Sequence, residues 1–286
     1  MEQPETTEVS RTTARVMAIV DALAQAADEG LRLADVMRAT GLNKTTAHRL
    51  LAGLVSTGLA DQAAETGRFF VGIRLLGLAQ AAKRRFRLAA LIEPVLVCLS
   101  QQTQDTLSLV ARSGDEAVCL DSREGSFPIK VLTLHAGDRR PLGIGAGSLA
   151  LLAFLPDDEV DRILQQQVGQ RADFPFDDIQ IRQMIEAARR QGYAYNDVHV
   201  FRGMETITHM AGVGVPITAS DGTPVAALHL TAITQRFDQP RRDNIVALLR
   251  QEAAHIEQSF MPVLDAMRPL LVAESRNSTK TRSRSG

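Results

Sequence analysis

The chain has 286 residues, of which 45% are hydrophobic, and its formal net charge is −1. This length and composition favour about two domains with packed cores, and the near-neutral charge excludes a protein that coats nucleic acid through its overall charge. Affinity for DNA must therefore come from local charge. The cysteines, Cys98 and Cys119, lack metal-ligand spacing, so we expect no metal, no other cofactor and no disulfide scaffold.

The ends of the chain are polar. The start, MEQPETTEVS, is unlike a signal peptide, and no apolar run approaches the roughly 20 residues of a membrane-spanning helix. We therefore expect a cytoplasmic protein without a membrane partner. Residues 1–9 and the basic tail 269–286 are predicted to be disordered.

A helix-turn-helix is predicted at 33–58, which reads LADVMRATGLNKTTAHRLLAGLVSTG. Gly41 ends a first short helix, because glycine adopts positive φ readily. Asn43 is suited to cap a second helix. In that second helix, apolar residues recur at helical spacing and predict one buried stripe, formed by Ala47, Leu50, Leu51 and Leu54.

The polar residues of the second helix suit the major groove of double-stranded DNA. Lysine and arginine reach guanine acceptors or phosphates, and threonine offers a hydroxyl and a methyl group. No Asp or Glu occurs in 36–60 to repel phosphate. A solvated face of a helical bundle is the alternative. The predicted DNA-contacting residues are Asn43, Lys44, Thr45, Thr46, His48 and Arg49.

The flanking segments complete a winged helix-turn-helix at 10–72. A preceding helix supplies a third helix, and a short strand at 59–60, a turn and a returning strand at 69–71 predict the wing. Arg68 lies at the turn, either near DNA or as an ordinary surface arginine. An amphipathic linker helix is predicted at 73–92, whose basic cluster either contacts phosphate or keeps the helix soluble.

The remainder, 93–268, predicts an α+β domain in which an antiparallel sheet carries helices on its flanks. Pro94 fits the first turn of an opening helix. Strands are predicted at 106–112, 116–122, 129–135, 193–196, 212–218 and 225–233. A glycine-rich loop at 143–147 precedes further helices, predicted at 148–154, 157–167, 178–190 and 240–267.

One strand offers a candidate ligand-binding residue. In VAALHLTAI, Ala227, His229 and Thr231 share one face, and the opposite face carries the apolar residues expected in the core. The first face is directed either at a ligand cavity or at solvent. His229 is therefore a candidate pocket residue, with a structural histidine as the alternative.

The order of motifs resembles the IclR family of bacterial transcriptional regulators over roughly 10–265. The resemblance rests on GLNKTTAHRLLAGLVSTGLA, GAGSLALLAFLP, GYAYND and GVGVPITASDGTPVAALHL. It implies an N-terminal winged helix-turn-helix, a linker helix and a C-terminal effector domain of GAF-like fold. It also implies dimers or tetramers that bind palindromic operators and respond to small organic acids or aromatic catabolites.

The resemblance also implies an effector pocket. The loop amides match Gly145 and Ala146, and physics agrees, because free amides at a helix start attract anions. Arg139 stands where the family has a pocket residue and suits a carboxylate clamp, with Arg140 as its rival. The remaining pocket positions implied by the family are Asn196, Asp197 and Gly212.

Two positions depart from a family member that binds a small keto acid. Asn196 replaces an acidic residue there, and Gly212 replaces a cysteine. This chain also holds additional residues around 204–210. These differences predict a roomier and differently polar site, and hence an aromatic or longer carboxylate.

Other classes of function fit less well. GIGAG lacks the third glycine of a dinucleotide loop, and no G-x-S-x-G elbow occurs, so we predict that the protein is not an enzyme. The remaining alternative to a DNA-binding regulator is a ligand-responsive module that acts through protein contacts alone.

Overall fold

The computed structural model describes residues 11–85, 88–131, 133–171, 176–198 and 210–275. The chain forms two compact units, Met1–Phe86 and Arg87–Gly286, and their division falls inside the segment predicted as one linker helix. The predictions for 1–9, for 276–286 and for most of 204–210 lie outside the described residues. Within the described part, no helix is long and apolar enough to cross a membrane.

The first unit is a helix-turn-helix with a small β-wing. Strand β2 pairs antiparallel with strand β1, and the helices pack around Ile19, Leu23, Val36, Leu51 and Leu54. This arrangement confirms the predicted three helices and wing. The elements are α1 Arg11–Gln25, α2 Leu33–Thr40, α3 Lys44–Ser56, β1 Ala60–Gln62, β2 Phe69–Val71 and α4 Arg74–Arg85.

The turn between α2 and α3 follows the sequence signals. Gly41 has a φ of 66° in the left-handed region, and its amide donates to Met37 O over 2.9 Å. Asn43 Oδ1 accepts a hydrogen bond from Thr46 N over 2.9 Å. Both predicted helix-end signals are confirmed, and together they set the direction in which α3 leaves the turn.

The predicted helix boundaries near residue 90 are wrong. Helix α4 ends at Arg85, and α5 spans Leu88–Thr103, so Pro94 lies inside α5 rather than in its first turn. The helix continues because its apolar residues on both sides of the proline are buried, among them Leu91, Ile92 and Val95. Their burial offsets the backbone hydrogen bond that proline cannot make.

The second unit is built on an antiparallel six-stranded sheet with the order β5-β4-β3-β8-β7-β6. Strand β4 shows the predicted alternation of burial, but β3 is buried on both faces, because helices cover both sides of this central strand. The strands are β3 Thr106–Ser113, β4 Glu116–Arg123, β5 Arg139–Pro141, β6 Ala194–Val198, β7 Met210–Thr218 and β8 Pro224–Ile233.

The predicted strand at 129–135 is wrong, since none of its described residues belongs to a strand. Side chains, rather than a neighbouring strand, bond its backbone. Thr231 Oγ1 donates to Val131 O over 3.1 Å, and the Arg140 guanidinium donates to Thr133 O. Strand β5, which the sequence analysis missed, takes the sheet edge beside β4.

Helices complete both faces of the sheet. They are α6 Ala146–Ala153, α7 Asp157–Gln166, α8 Asp178–Gln191 and α9 Gln239–Ser275. Helix α6 begins two residues earlier than predicted, and every residue in it is buried. Helix α9 has non-helical backbone at Phe260 and continues beyond the predicted domain end at 268.

Helix α6 lies with its backbone directly on strand β7. A Cβ atom at Gly214 would overlap the carbonyl group of Ala146 and lie 3.0 Å from Gly147 N. Only glycine allows a backbone to approach this closely. The position of the α6 N-terminus therefore depends on residue 214 being a glycine, which has no side chain.

We expect Gly214→Ala to lower the free energy of unfolding by about 2 kcal/mol, because the new methyl group forces α6 away from the sheet. Chemical denaturation of the full chain measures this change. Gly169→Ala is the matched control, since a Cβ there meets nothing within 4 Å. Equal stabilities of the two variants would contradict the close-approach interpretation.

Candidate functional site

The exposed face of α3 is polar and basic. Lys44, Thr45, His48 and Arg49 are exposed, and the buried residues of the same helix are Ala47, Leu51 and Leu54. The predicted division into a buried stripe and a polar face is confirmed, except that Leu50 of the stripe is only partly buried. Four of the five residues within α3 that were predicted to contact DNA are therefore available to a ligand.

The other predicted DNA contacts are engaged within the protein. Asn43 Oδ1 accepts from the amide of Thr46 as the α3 cap, although Asn43 is exposed. Thr46 is half-buried. Arg68 Nη1 donates to the backbone carbonyls of Glu29 and Gly30 over 3.1 and 2.8 Å. Arg68 Nη1 thus fastens the wing to the segment between α1 and α2, and the contact of Arg68 with DNA stays a prediction.

A cavity lies in the second unit, between the N-terminus of α6 and the sheet. The positive φ of Gly145, 85°, turns the chain into α6, and the first amides of a helix lack partners within the helix. The helix dipole adds a partial positive charge at this end. The lining combines apolar residues with a few polar ones, the latter being Thr133, Arg140, Ser148, Asn196, His229 and Thr231.

Arg140, and not Arg139, lines the cavity. A Cβ atom at Gly145 would lie 3.5 Å from Arg140 Nη1, which places the guanidinium beside the α6 N-terminus. Adjacent residues of a strand point to opposite faces, so Arg139 instead pairs with Glu116 over 2.8 Å. The prediction that Arg139 is the carboxylate clamp is wrong, and its rival occupies the place.

The Arg140 side chain stays positively charged although it is largely buried. Burial lowers the pKa of Arg140 to about 10, while Asp138 and Cys119 oppose this shift. The side chain therefore remains charged at neutral pH. A partly buried cation beside a helix N-terminus gives this end of the cavity a positive potential that favours a carboxylate.

The positions predicted on β6 and β7 divide between the cavity and the surface. Asn196 and Gly212 pair across the sheet and line the cavity. Asp197 points away, where its Oδ1 accepts from Thr234 Oγ1 over 3.1 Å. The structure therefore removes Asp197 from the pocket.

Gly212 does not create the additional space that was predicted. A Cβ atom there would lie 3.1 Å from Ala146 Cβ and 3.4 Å from Thr231 Cγ2. The room that a cysteine side chain needs is thus already taken by α6 and β8. The small residue permits close packing, and the prediction of a roomier site on this ground is wrong.

His229 is directed into the cavity, not at solvent. It lines the cavity and is 4% exposed. Burial, followed by the charge of Arg140, lowers the pKa of His229 to about 4, against a hydrogen bond with the backbone of Ser108 that favours the protonated form. His229 is consequently neutral at physiological pH.

Several lining residues escaped the sequence analysis. Thr231 was placed on the face of His229 but not chosen, although the two-residue period of a strand linked them. Thr133 lies on the segment mistaken for a strand, and Ser148 at the predicted start of a helix. For Thr133 and Ser148 the sequence held no local signal, since their position depends on tertiary contacts.

Thiol and metal chemistry find no support in the described part of the chain. Burial, followed by the charges of Asp138 and Asp121, raises the pKa of Cys119 to about 12, so this thiol stays protonated. The described residues contain no group of three side chains that could hold a metal ion.

Comparison with known proteins gives the same organisation. The IclR helix-turn-helix domain matches residues 12–64, and the C-terminal domain of bacterial IclR transcriptional regulators matches residues 80–258. The transcriptional regulator KipR of Bacillus subtilis is 25% identical over 232 residues, which cover 80% of this chain and 90% of KipR.

Two solved structures share the fold. An IclR-type regulator from Alicyclobacillus acidocaldarius superposes with a TM-score of 0.73 at 19% identity, covering 87% of this chain and 98% of its own. The second is an IclR homologue from Microbacterium hydrocarbonoxydans in complex with 4-hydroxybenzoate, which superposes with a TM-score of 0.67 at 22% identity. The superposition covers 88% of this chain and 99% of the homologue. The chain belongs to the IclR family and is a transcriptional regulator with a helix-turn-helix DNA-binding domain.

Proposed function

We propose that this regulator binds a palindromic operator and that a small organic carboxylate, aromatic or aliphatic, controls its activity at the promoter. The observation that carries the proposal is the cavity at the α6 N-terminus, where Arg140 supplies a positive charge among largely apolar walls. Few polar groups in an otherwise apolar concavity are typical of small-molecule sites.

The exposed face of α3 supports direct contact with DNA. We propose that Lys44, Thr45, His48 and Arg49 enter the major groove, where arginine reads guanine and lysine reaches phosphate. A palindrome requires two such helices, presented about 34 Å apart by two copies of the chain. Self-association is supported by exposed apolar residues in and beside α4, namely Ile73, Leu76 and Leu78.

The cavity supports a carboxylate effector. The negative charge of a bound carboxylate would compensate for the cost of burying the Arg140 charge. The carboxylate oxygens would accept hydrogen bonds from the first amides of α6. The 4-hydroxybenzoate bound by the Microbacterium homologue is an aromatic carboxylate, which supports this class of ligand here. Binding then favours one arrangement of the oligomer, and the change in arrangement alters the spacing of the recognition helices.

We expect Arg49→Ala to weaken operator binding by about tenfold or more, since it removes one base or phosphate contact worth roughly 1–3 kcal/mol. Fluorescence anisotropy with DNA from upstream of the protein's own gene, over a salt series, measures the loss. The salt dependence should be steep because phosphate contacts release counterions.

Arg190→Ala is the control for the Arg49 variant. This arginine lies on α8 in the second unit, and its side chain is 71% exposed. The opposite result is weak binding to every DNA sequence, without salt dependence and equal in the Arg49 and Arg190 variants. It would favour a module that acts through protein contacts.

We expect a panel of small carboxylates to contain at least one member that raises the melting temperature of the protein, because a ligand of the folded state stabilises it by mass action. Arg140→Gln should abolish the increase, and Arg139→Gln, its neighbour in the strand, should retain it. An increase that survives Arg140→Gln, or that Arg139→Gln removes equally, would contradict the assigned carboxylate site.

A further inference from the structure

The coil between β4 and β5 reaches from the cavity to the C-terminus of α5. We call it the strap and define it as 124–131 and 133–138, none of which belongs to a helix or strand. Thr133 and Leu134 of the strap line the cavity. A coil lacks a continuous ladder of backbone hydrogen bonds, so the position of the strap depends on a few individual contacts.

Two side chains of the cavity wall hold the strap on the cavity side. Arg140 Nη2 donates to Thr133 O. Thr231 Oγ1 donates to Val131 O over 3.1 Å. Both donors also line the cavity. The groups that hold the strap are therefore groups that a molecule bound in the cavity would meet.

Further along, the strap is docked on the end of α5. Phe127 N donates to Gln104 O over 2.9 Å. A Cβ atom at Gly125 would overlap the carbonyl group of Gln104, so backbone meets backbone and only glycine fits. Arg236 Cζ lies 3.8 Å from the centroid of the Phe127 ring, and Arg236 Nε donates to Asp105 Oδ1 over 2.7 Å. Backbone and side-chain contacts thus join the strap to the residues that end α5.

The docked conformation is strained at Gln104. Its φ of 64° lies in the left-handed region, and among the described residues it is the only one other than glycine with a positive φ. Glycine is the usual residue at this position after a helix, because a Cβ atom makes the conformation costly. Such strain persists only where the surroundings enforce it. Loosening of the strap would therefore allow Gln104 and the last turn of α5 to change conformation.

A carboxylate in the cavity competes with the strap for Arg140. An arginine binds a carboxylate end-on through two parallel hydrogen bonds from Nη1 and Nη2. Nη1 lies towards Gly145 at the α6 N-terminus, and Nη2 bonds Thr133 O. The charged acceptor forms a stronger hydrogen bond than the neutral carbonyl, so the guanidinium turns from the strap to the anion.

We propose that the strap carries the signal of ligand binding from the cavity to the C-terminus of α5. A carboxylate that binds Arg140 releases Thr133 O, the strap loosens from Gln104, and the last turn of α5 rearranges. Along the chain, α5 is the first helix of the second unit and follows α4, the last helix of the DNA-binding unit. This inference rests on the proposed carboxylate site and adds the element through which its occupation acts.

Hydrogen exchange on the full chain tests the strap without any ligand. Thr231→Val keeps the branched shape of the side chain but removes the hydroxyl that donates to Val131 O. We expect the Phe127 amide to exchange about fivefold faster in this variant, because the strap loosens as one unit. Mass spectrometry of peptides that contain this amide measures the rate. Ile129→Ala is the matched control within the strap, since Ile129 is 56% exposed, and it should leave the rate within about twofold.

The same measurement on the unaltered protein tests the trigger, and it stays valid if a variant does not fold. The probes are 4-hydroxybenzoate, phenylacetate and pyruvate, and calorimetry on the full chain and on Arg140→Gln identifies which of them bind through Arg140. Such an acid should speed up exchange at the Phe127 amide. A ligand that only stabilised the folded state would slow this exchange instead.

Phe127→Ala separates binding from transmission. The variant removes the ring beneath Arg236, and Phe127 does not line the cavity. We expect the affinity for the acid to stay within about twofold, while the effect of the acid on operator affinity falls from about fivefold to less than about twofold. Ile129→Ala should keep the full effect.

The outcomes distinguish this inference from the proposal beneath it. Unchanged exchange at Phe127 in Thr231→Val overturns the strap as a transmitting unit. An acid that binds through Arg140 and changes operator affinity equally in Phe127→Ala and Ile129→Ala also overturns it, and leaves the carboxylate site intact. Absence of Arg140-dependent binding for all three acids contradicts the carboxylate site and, with it, the trigger of the strap.

Discussion

The contact between the backbone of helix α6 and strand β7 is the constraint on which the candidate effector site depends. At Gly214 the strand has no side chain, and the carbonyl of Ala146 occupies the space that a methyl group would need. The fully buried α6 is consequently fixed against the sheet, with its N-terminus above the polar residues of β6 and β8. A close-packed interior transmits any displacement of such a helix to its neighbours.

The electrostatics of the cavity follow from this placement. The helix start and the Arg140 guanidinium lie side by side, and burial, followed by the charge of Arg140, lowers the pKa of His229 and keeps it uncharged. The neutral histidine is thus not a second cation beside Arg140.

Much of the fold was predictable because its signals are local. Gly41 and Asn43 mark the turn of the helix-turn-helix by their backbone and capping preferences, and the structure confirms both. The hairpin between β7 and β8 follows from its turn residues in the same way. The prediction of a strand at 129–135 failed because side chains of other elements, Arg140 and Thr231, bond backbone carbonyls of this segment, which local propensity does not encode.

The candidate site was less predictable, because a strand's side-chain direction depends on its register. Arg139 and Arg140 are equivalent by composition, and only the pairing of β5 with β4 decides which one faces the cavity. Gly212 shows the same limit, since whether a small residue leaves space or admits a neighbour is a tertiary property. His229 was found because its alternation along β8 is local.

The central claim is that ligand binding in the cavity is coupled to DNA binding. The most direct measurement is the affinity of a small organic acid that raises the protein's melting temperature, by calorimetry on the full chain, with and without saturating operator DNA. Thermodynamic linkage requires the operator to change the acid's affinity by the same factor by which the acid changes operator affinity, and we expect a factor of about five or more. Identical affinities with and without the operator, together with identical transcription from the promoter, would contradict the account.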